Sequence, residues 1–187
     1  MIPDPIRTPR LLLRCWEPSD APLLKDAIDA SLGHLRRFMP WAWNEPSSLE
    51  VFHDRIERYR ADFAAGTEWR FGIFPRTGGE VLGMIGVHRR GPPGTLDLGY
   101  WLRGDAVGRG YMTEAADALT RLALTRLGAE RVEIVCNELN EGSSGIPRRL
   151  GFRLEATRRE DFHGEPRTTL VWATTADEFI PGEGGAA

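Results

Sequence analysis

Between Leu49 and Cys136 the spacing of apolar residues changes three times, and that succession leaves few folds open. Leu49, Phe52, Ile56, Tyr59 and Phe63 recur at three- and four-residue steps, which places them on one helical face, and Gly66 ends the run. In front of them Ser47-Ser48-Leu49-Glu50 has the spacing of a capping box. Trp69, Phe71 and Ile73 then alternate as in a strand. After a turn at 75–79, residues 81–88 read as a second strand, and after Gly91-Pro92-Pro93-Gly94 a third carries Leu96, Leu98 and Tyr100. Helical spacing returns at Ala115, Ala116, Leu119, Leu122 and Ala123, Gly128 closes it, and Val132, Ile134 and Cys136 alternate again. A meander followed by strand, glycine turn, helix and strand is a mixed α/β sheet with one crossover.

The flanks extend this pattern. Residues 8–15, with Leu11, Leu12 and Leu13, read as a strand, and Pro18-Ser19-Asp20 opens a helix carrying Leu23, Leu24, Ala27 and Ile28. A loop holds Phe38-Met39-Pro40-Trp41-Ala42-Trp43. Near the other end a short helix is expected around 146–150, where Pro147 is tolerable only in the first turn, because deeper in a helix it removes a donor. A hairpin follows, from Phe152 to Phe162 and from Arg167 to Thr174, turned at His163-Gly164. The expected order is β α α β β β α β α β β, in one domain over 1–176. The glycine-rich end offers nothing to pack, so 177–187 is expected to be a flexible tail.

Charge and composition exclude several classes. The net charge is −3 and the arginines are scattered, which gives no footprint for a nucleic-acid partner. No apolar run could span a bilayer and no basic start precedes an apolar stretch, so the expectation is a soluble cytoplasmic protein without a membrane partner. Cys15 and Cys136 each sit in an apolar strand pattern, which suggests small buried hydrophobes and neither a disulfide framework nor a metal site.

Chemistry first shows at Val107-Gly108-Arg109-Gly110-Tyr111, immediately before a helix. Backbone N–H groups converge at a helix start, the dipole favours negative charge there, and glycines admit a phosphate close to the chain. Gly-x-Gly also serves plain turn geometry, so the motif alone decides little. A P-loop needs Lys-Ser or Lys-Thr after its last glycine, and the dinucleotide fingerprint needs a small third residue where Thr113 stands, so neither applies.

Four spaced motifs give the turn its context: Leu98-Gly-Tyr-Trp-Leu102, then Gly108-Arg-Gly-Tyr-Met-Thr-Glu-Ala115, then Asn140-Glu-Gly-Ser143, then Arg149-Leu-Gly-Phe152. In this order they resemble the GNAT acetyltransferase superfamily, most nearly its RimJ/RimL-like branch of ribosomal-protein N-terminal acetyltransferases, over about Thr8 to Thr174. The resemblance implies a central, mostly antiparallel sheet splayed at one strand pair and flanked by helices. It implies acetyl-coenzyme A as co-substrate, with the pyrophosphate on the amides of Val107, Gly108, Arg109, Gly110, Tyr111 and Met112 and the pantetheine arm along Tyr100, Trp101 and Leu102. Asn140 matches an asparagine that contacts the coenzyme, and Asn137 stands where the splayed strand ends. Asp105 departs from the pattern, since the family commonly has Gln or Arg there, and a carboxylate beside phosphate is unfavourable unless it points away.

Amine attack on a thioester needs a base for the amine, a donor for the developing oxyanion, and a proton near the leaving thiolate. A backbone N–H of Trp101 or Leu102 at the unpaired strand edge suits the oxyanion. The resemblance points to Ser143 for the sulfur, with helix capping as its alternative role. For the base it points to Asp97, with Glu68 a second candidate, and each could equally be a solvated strand carboxylate. Trp41, Trp43 and His88 are candidates for the acceptor pocket. The expected acceptor is a primary amine, on a protein N-terminus or a small molecule, and a homodimer stays open. The alternatives are a non-catalytic acyl-coenzyme A-binding module and an acyltransferase of a small amine.

Overall fold

A computed structural model describes residues 2–162 and 164–179. Among them eight strands form one sheet: β1 (Ile6–Arg7), β2 (Leu11–Cys15), β3 (Glu68–Pro75), β4 (Gly83–His88), β5 (Thr95–Leu102), β6 (Arg131–Asn137), β7 (Arg153–Phe162) and β8 (Glu165–Thr175). Their spatial order is β1-β2-β3-β4-β5-β6-β8-β7, and β5 with β6 is its parallel pair. Five helices accompany them: α1 (Ala21–Asp29), α2 (Leu32–Leu35), α3 (Leu49–Ala65), α4 (Tyr111–Arg126) and α5 (Glu141–Arg149).

Strand alternation divides the core between the two faces of the sheet. Phe71, Ile73, Ile85, Val87, Leu96, Leu98, Val132 and Ile134 pack on one face with α4 residues Ala115, Ala116 and Leu119 and with Ile146 of α5. On the opposite face Phe74 and Trp101 pack with Leu24 and Ile28 of α1 and with Phe52 and Ile56 of α3. Fully buried side chains such as Phe71 and Phe52 each contribute about 1.5–3 kcal/mol relative to exposure. Each face therefore carries its own helices.

Several expectations need correction. The capping box does not form: Ser48 is the N-cap of α3 and makes no side-chain cap bond, so Glu50 falls one place short of the reciprocal position. The second meander strand starts at Gly83, not 81, and residues 40–44 form a 3-10 turn. β1 and α2 are added elements too short for periodicity to reveal. Pro147 lies well inside α5, because that helix begins five residues earlier than expected, capped by Asn140. The ordered chain also runs past 176: Phe179 is buried edge-on against Phe152, and Glu178 pairs with Arg153 at 2.8 Å. Residues 180–187 of the expected tail, and His163 of the expected turn, lie outside the described residues.

Candidate active site at the opened strand pair

β5 and β6 stay paired only at Thr95↔Arg131, Leu96↔Val132 and Asp97↔Glu133. Beyond Asp97 they separate, while the other edge of β5 stays in register with β4 as far as Leu102. The Arg103 N–H donates to the Leu82 carbonyl at 2.9 Å, on the β4 side. In an antiparallel pair successive residues turn their N–H and C=O to opposite sides, so Trp101 and Gly99 also face β4. Tyr100 and Leu102 face the gap. Of the two expected oxyanion donors, Leu102 therefore has its N–H toward the opening, and Trp101 does not.

Two clefts meet at this gap. One, of about 440 Å³, is lined by Leu102, the turn residues Val107, Gly108, Gly110, Tyr111 and Met112, and by Asn140 and Arg149. The other, of about 690 Å³, is lined by His88, Asp97, Trp41, Asn137 and Arg167. Tyr100, Trp101, Ser143 and Met39 line both. Because Tyr100 and Trp101 alternate, one projects to the α4–α5 face and the other to the α1–α3 face, where Trp101 meets Trp41 with ring centroids 6.1 Å apart.

The glycine turn opens directly onto a helix N-terminus, a geometry that suits an anion. Gly108 (φ 75°) and Gly110 (φ 79°) both take the left-handed conformation that side chains resist, and Gly110 caps the sixteen-residue α4. Arg10 braces the turn from behind. Its Nη1 donates to the Arg109 carbonyl at 2.8 Å, its Nε to Glu114 at 2.6 Å, and its guanidinium covers the Tyr111 ring at 4.9 Å. Glu114 also accepts from the Thr8 hydroxyl at 2.6 Å and the Arg10 N–H at 2.8 Å. These bonds hold the Glu114 carboxyl below the usual range against the opposing effect of burial. Arg10 and Arg149 are absent from the sequence-based site. Arg10 is some hundred positions from the turn it holds, and Arg149, which donates to the Thr113 hydroxyl at 3.2 Å, stood in a recognised motif without a role.

Asp105 is held by Arg103. It is exposed, accepts two bonds of 3.1 Å from Arg103, and is thereby kept below the ordinary carboxyl range. Arg109 contributes its carbonyl to the brace and its side chain is exposed outside the cleft lining.

Ser143 and Tyr100 form the junction. Asn140 caps α5 by accepting from the Ser143 N–H at 3.1 Å, so Ser143 is not the cap and its hydroxyl is left for another partner. That hydroxyl donates to Tyr100 Oη at 3.2 Å, and Tyr100 in turn donates to the Ser143 carbonyl at 3.3 Å. Burial pushes the Tyr100 phenol up, against the lowering effect of the Ser143 bond. Buried Cys136 lines the larger cleft, its thiol pushed up by burial.

On the opposite face Glu68, His88 and Asp97 lie abreast on β3, β4 and β5. Asp97 is buried and its carboxyl is pushed up to about 6 by burial, with Arg90 at 3.8 Å opposing. His88 is lowered to about 4, first by burial and then by Arg90, and is neutral at pH 7. Glu68 lines neither cleft: Arg70 grips its carboxylate, and it reaches the site only through His88 Nδ1 at 3.3 Å. Asn137 lines the larger cleft and not the smaller one, its Oδ1 accepting from the Leu139 N–H at 2.9 Å. Trp41 lines the larger cleft as expected, whereas Trp43 is 55% exposed, donates to the Arg36 carbonyl at 3.1 Å, and lines neither.

A sheet opened so that ligands on its two faces can meet is the layout of a two-substrate transferase. The chain belongs to the GNAT acetyltransferase family: residues 10–153 match the family model described as an acetyltransferase (GNAT) domain. It is accordingly an acyltransferase. Among curated proteins it is similar to YdaF of Bacillus subtilis (strain 168), provisionally named a ribosomal N-acetyltransferase, with 28% identity over 82% of this chain and 83% of that protein. Among solved structures it resembles RimL, a ribosomal L7/L12 alpha-N-protein acetyltransferase in complex with coenzyme A, at TM-score 0.82 and 23% identity, covering 91% of this chain and 97% of the other. The ribosomal-protein-S5-alanine acetyltransferase from Vibrio fischeri superposes at TM-score 0.82 with 17% identity, covering 96% and 100%. At these identities the two structures establish the fold. Among the described residues no helix is long and apolar enough to cross a membrane.

Proposed function

We propose that this enzyme transfers an acetyl group from acetyl-coenzyme A to a protein N-terminal amine by direct attack. The observation that carries this reading is the junction itself: two clefts on opposite faces of the sheet meet at Tyr100 and Ser143, where β5 leaves β6. On the α4 face, the amides of 107–112 would hold the pyrophosphate, Arg149 would supply a cation, and the exposed edge of β5 would accept the pantetheine amides. Similarity to a coenzyme A complex supports that assignment. At the gap the Leu102 N–H would stabilise the oxyanion, and the Ser143 hydroxyl, which rests on Tyr100 Oη, would turn its proton toward the departing sulfur.

Asp97 supplies the base. A carboxyl near 6 is largely ionised at pH 7.5 yet more basic than an exposed aspartate, and it faces the acceptor cleft. Its basicity also favours one class of amine. An α-ammonium, at about 7.7–8.0, loses its proton to such a carboxylate far more readily than a lysine at about 10.4. A non-catalytic module would lack a base in the acceptor cleft, whereas Asp97 is buried there, and Asp105 is held by Arg103. A thiol-release assay with acetyl-coenzyme A and a panel of free N-terminal peptides, lysine-only peptides with blocked termini and small amines tests the reading. Release confined to free N-termini is the expected result. Release with small amines alone would overturn the acceptor, and none with any amine would overturn transfer.

A further inference from the structure

Pro147 sits four residues after Ser143 inside α5. In an α-helix the N–H of residue 147 would close on the carbonyl of residue 143, and proline has no N–H to give. The bond that is missing there is replaced from another element: the Tyr100 hydroxyl, on β5, donates to the Ser143 carbonyl at 3.3 Å. The same phenol oxygen accepts from the Ser143 hydroxyl at 3.2 Å. Serine hydroxyl, phenol and serine carbonyl thus form a short directed chain in the wall shared by the two clefts.

We infer that Pro147 is a positioning residue for the transfer step: by withholding a helical donor from the Ser143 carbonyl, it captures the Tyr100 hydroxyl there and so orients Tyr100 and the Ser143 hydroxyl at the meeting point of the clefts. With an ordinary residue at 147 the carbonyl would already accept a helical N–H, and the phenol would compete for the acceptor that fixes its proton. The ring would then be free to shift in the gap between β5 and β6, and the serine hydroxyl would lose its aimed partner. The catalytic consequence rests on the proposed acetyl transfer; the hydrogen-bond exchange does not.

The test is a double-mutant cycle with Pro147→Ala and Tyr100→Phe, read in two ways. Pro147→Ala restores an N–H in a helix interior, a change that helices favour, so folding is retained. In urea unfolding, Tyr100→Phe should lower the midpoint in the wild-type background, where it strands a part-buried carbonyl. It should do so by less than half as much in the Pro147→Ala background, where the helix satisfies that carbonyl. In turnover, Pro147→Ala should lower kcat about five- to tenfold, as loss of one oriented hydrogen bond implies, with KM for acetyl-coenzyme A within about twofold. Tyr100→Phe should then add nothing. An equal midpoint cost in both backgrounds overturns the exchange. An unchanged kcat in Pro147→Ala, or losses that multiply, overturn the positioning role. Absence of turnover in the wild-type enzyme would instead overturn acetyl transfer, and the unfolding cycle would still decide the exchange.

Discussion

Replacing Asp97 by Asn should separate stability from activity, and by an amount the structure sets. Burial raises the Asp97 carboxyl from 3.8 to about 6. A displacement of that size corresponds to about 3 kcal/mol of penalty on the ionised form in the folded state. Because the folded chain holds the proton more tightly than the unfolded one, the stabilising contribution of this group is fully present below pH 3.8. It is lost as pH rises through about 6. Asparagine of nearly the same shape never ionises. Relative to wild type, Asp97→Asn should therefore gain nothing below about pH 4, gain progressively between 4 and 6, and reach a plateau of up to about 3 kcal/mol above pH 7. Urea unfolding of both proteins at half-unit pH steps from 4 to 8 measures the difference, in which titrating groups remote from Asp97 cancel. If Asp97 is also the base, kcat/KM in the wild type should rise with pH through about 6, and the variant should lose about 10²–10⁴-fold in turnover. A stability difference that is flat across pH, or a variant that keeps wild-type turnover, would refute the assignment of Asp97 as a buried base.

Gly110→Val adds a branched side chain at φ 79°, with its Cβ 3.3 Å from Arg10 Nη2, and should weaken acetyl-coenzyme A binding at least about tenfold by calorimetry while the protein stays folded. Equal affinity would sink the pyrophosphate placement. Arg10→Ala should weaken the same binding about three- to tenfold, and Arg10→Lys should not restore it, since a single ammonium cannot reach the Arg109 carbonyl, Glu114 and the Tyr111 ring together. Trp41→Ala should raise KM for the acceptor with little change for acetyl-coenzyme A, whereas Trp43→Ala should leave both constants near wild type; steady-state kinetics on peptide substrates distinguishes them.

The elements that were legible in sequence are those with long periodic runs. α3, α4 and the meander β3-β4-β5 repeat an apolar spacing over enough residues to mark one buried face, whereas the final hairpin is marked by the glycine of its turn, since β7 is exposed along most of its length. The glycine turn was legible because left-handed backbone at a helix start demands glycine. β1 and α2 are two and four residues long, shorter than any period they could display. α5 was placed late because its first turn, Glu141-Gly-Ser-Ser, is polar. Its start is marked by the Asn140 side chain bonding the Ser143 N–H, a contact that spacing alone does not distinguish from a loop.

The chain by itself determined the family of folds, the anion turn and the residue types available for acyl transfer. Local spacing controls which residues share a face, and that information is one-dimensional. Tertiary structure alone decided how those residues are used. Whether Leu102 or Trp101 presents its N–H to the gap depends on which edge of β5 is still paired with β4. Whether the Asp105 charge is paired depends on Arg103 turning to hold it. That Arg10 braces a turn a hundred positions away, and that Tyr100 takes the carbonyl Pro147 leaves open, follows from β2 and β5 packing beside α4 and α5. Hydrogen bonds and desolvation act only over a few ångströms in space, and distance along the chain does not report that separation.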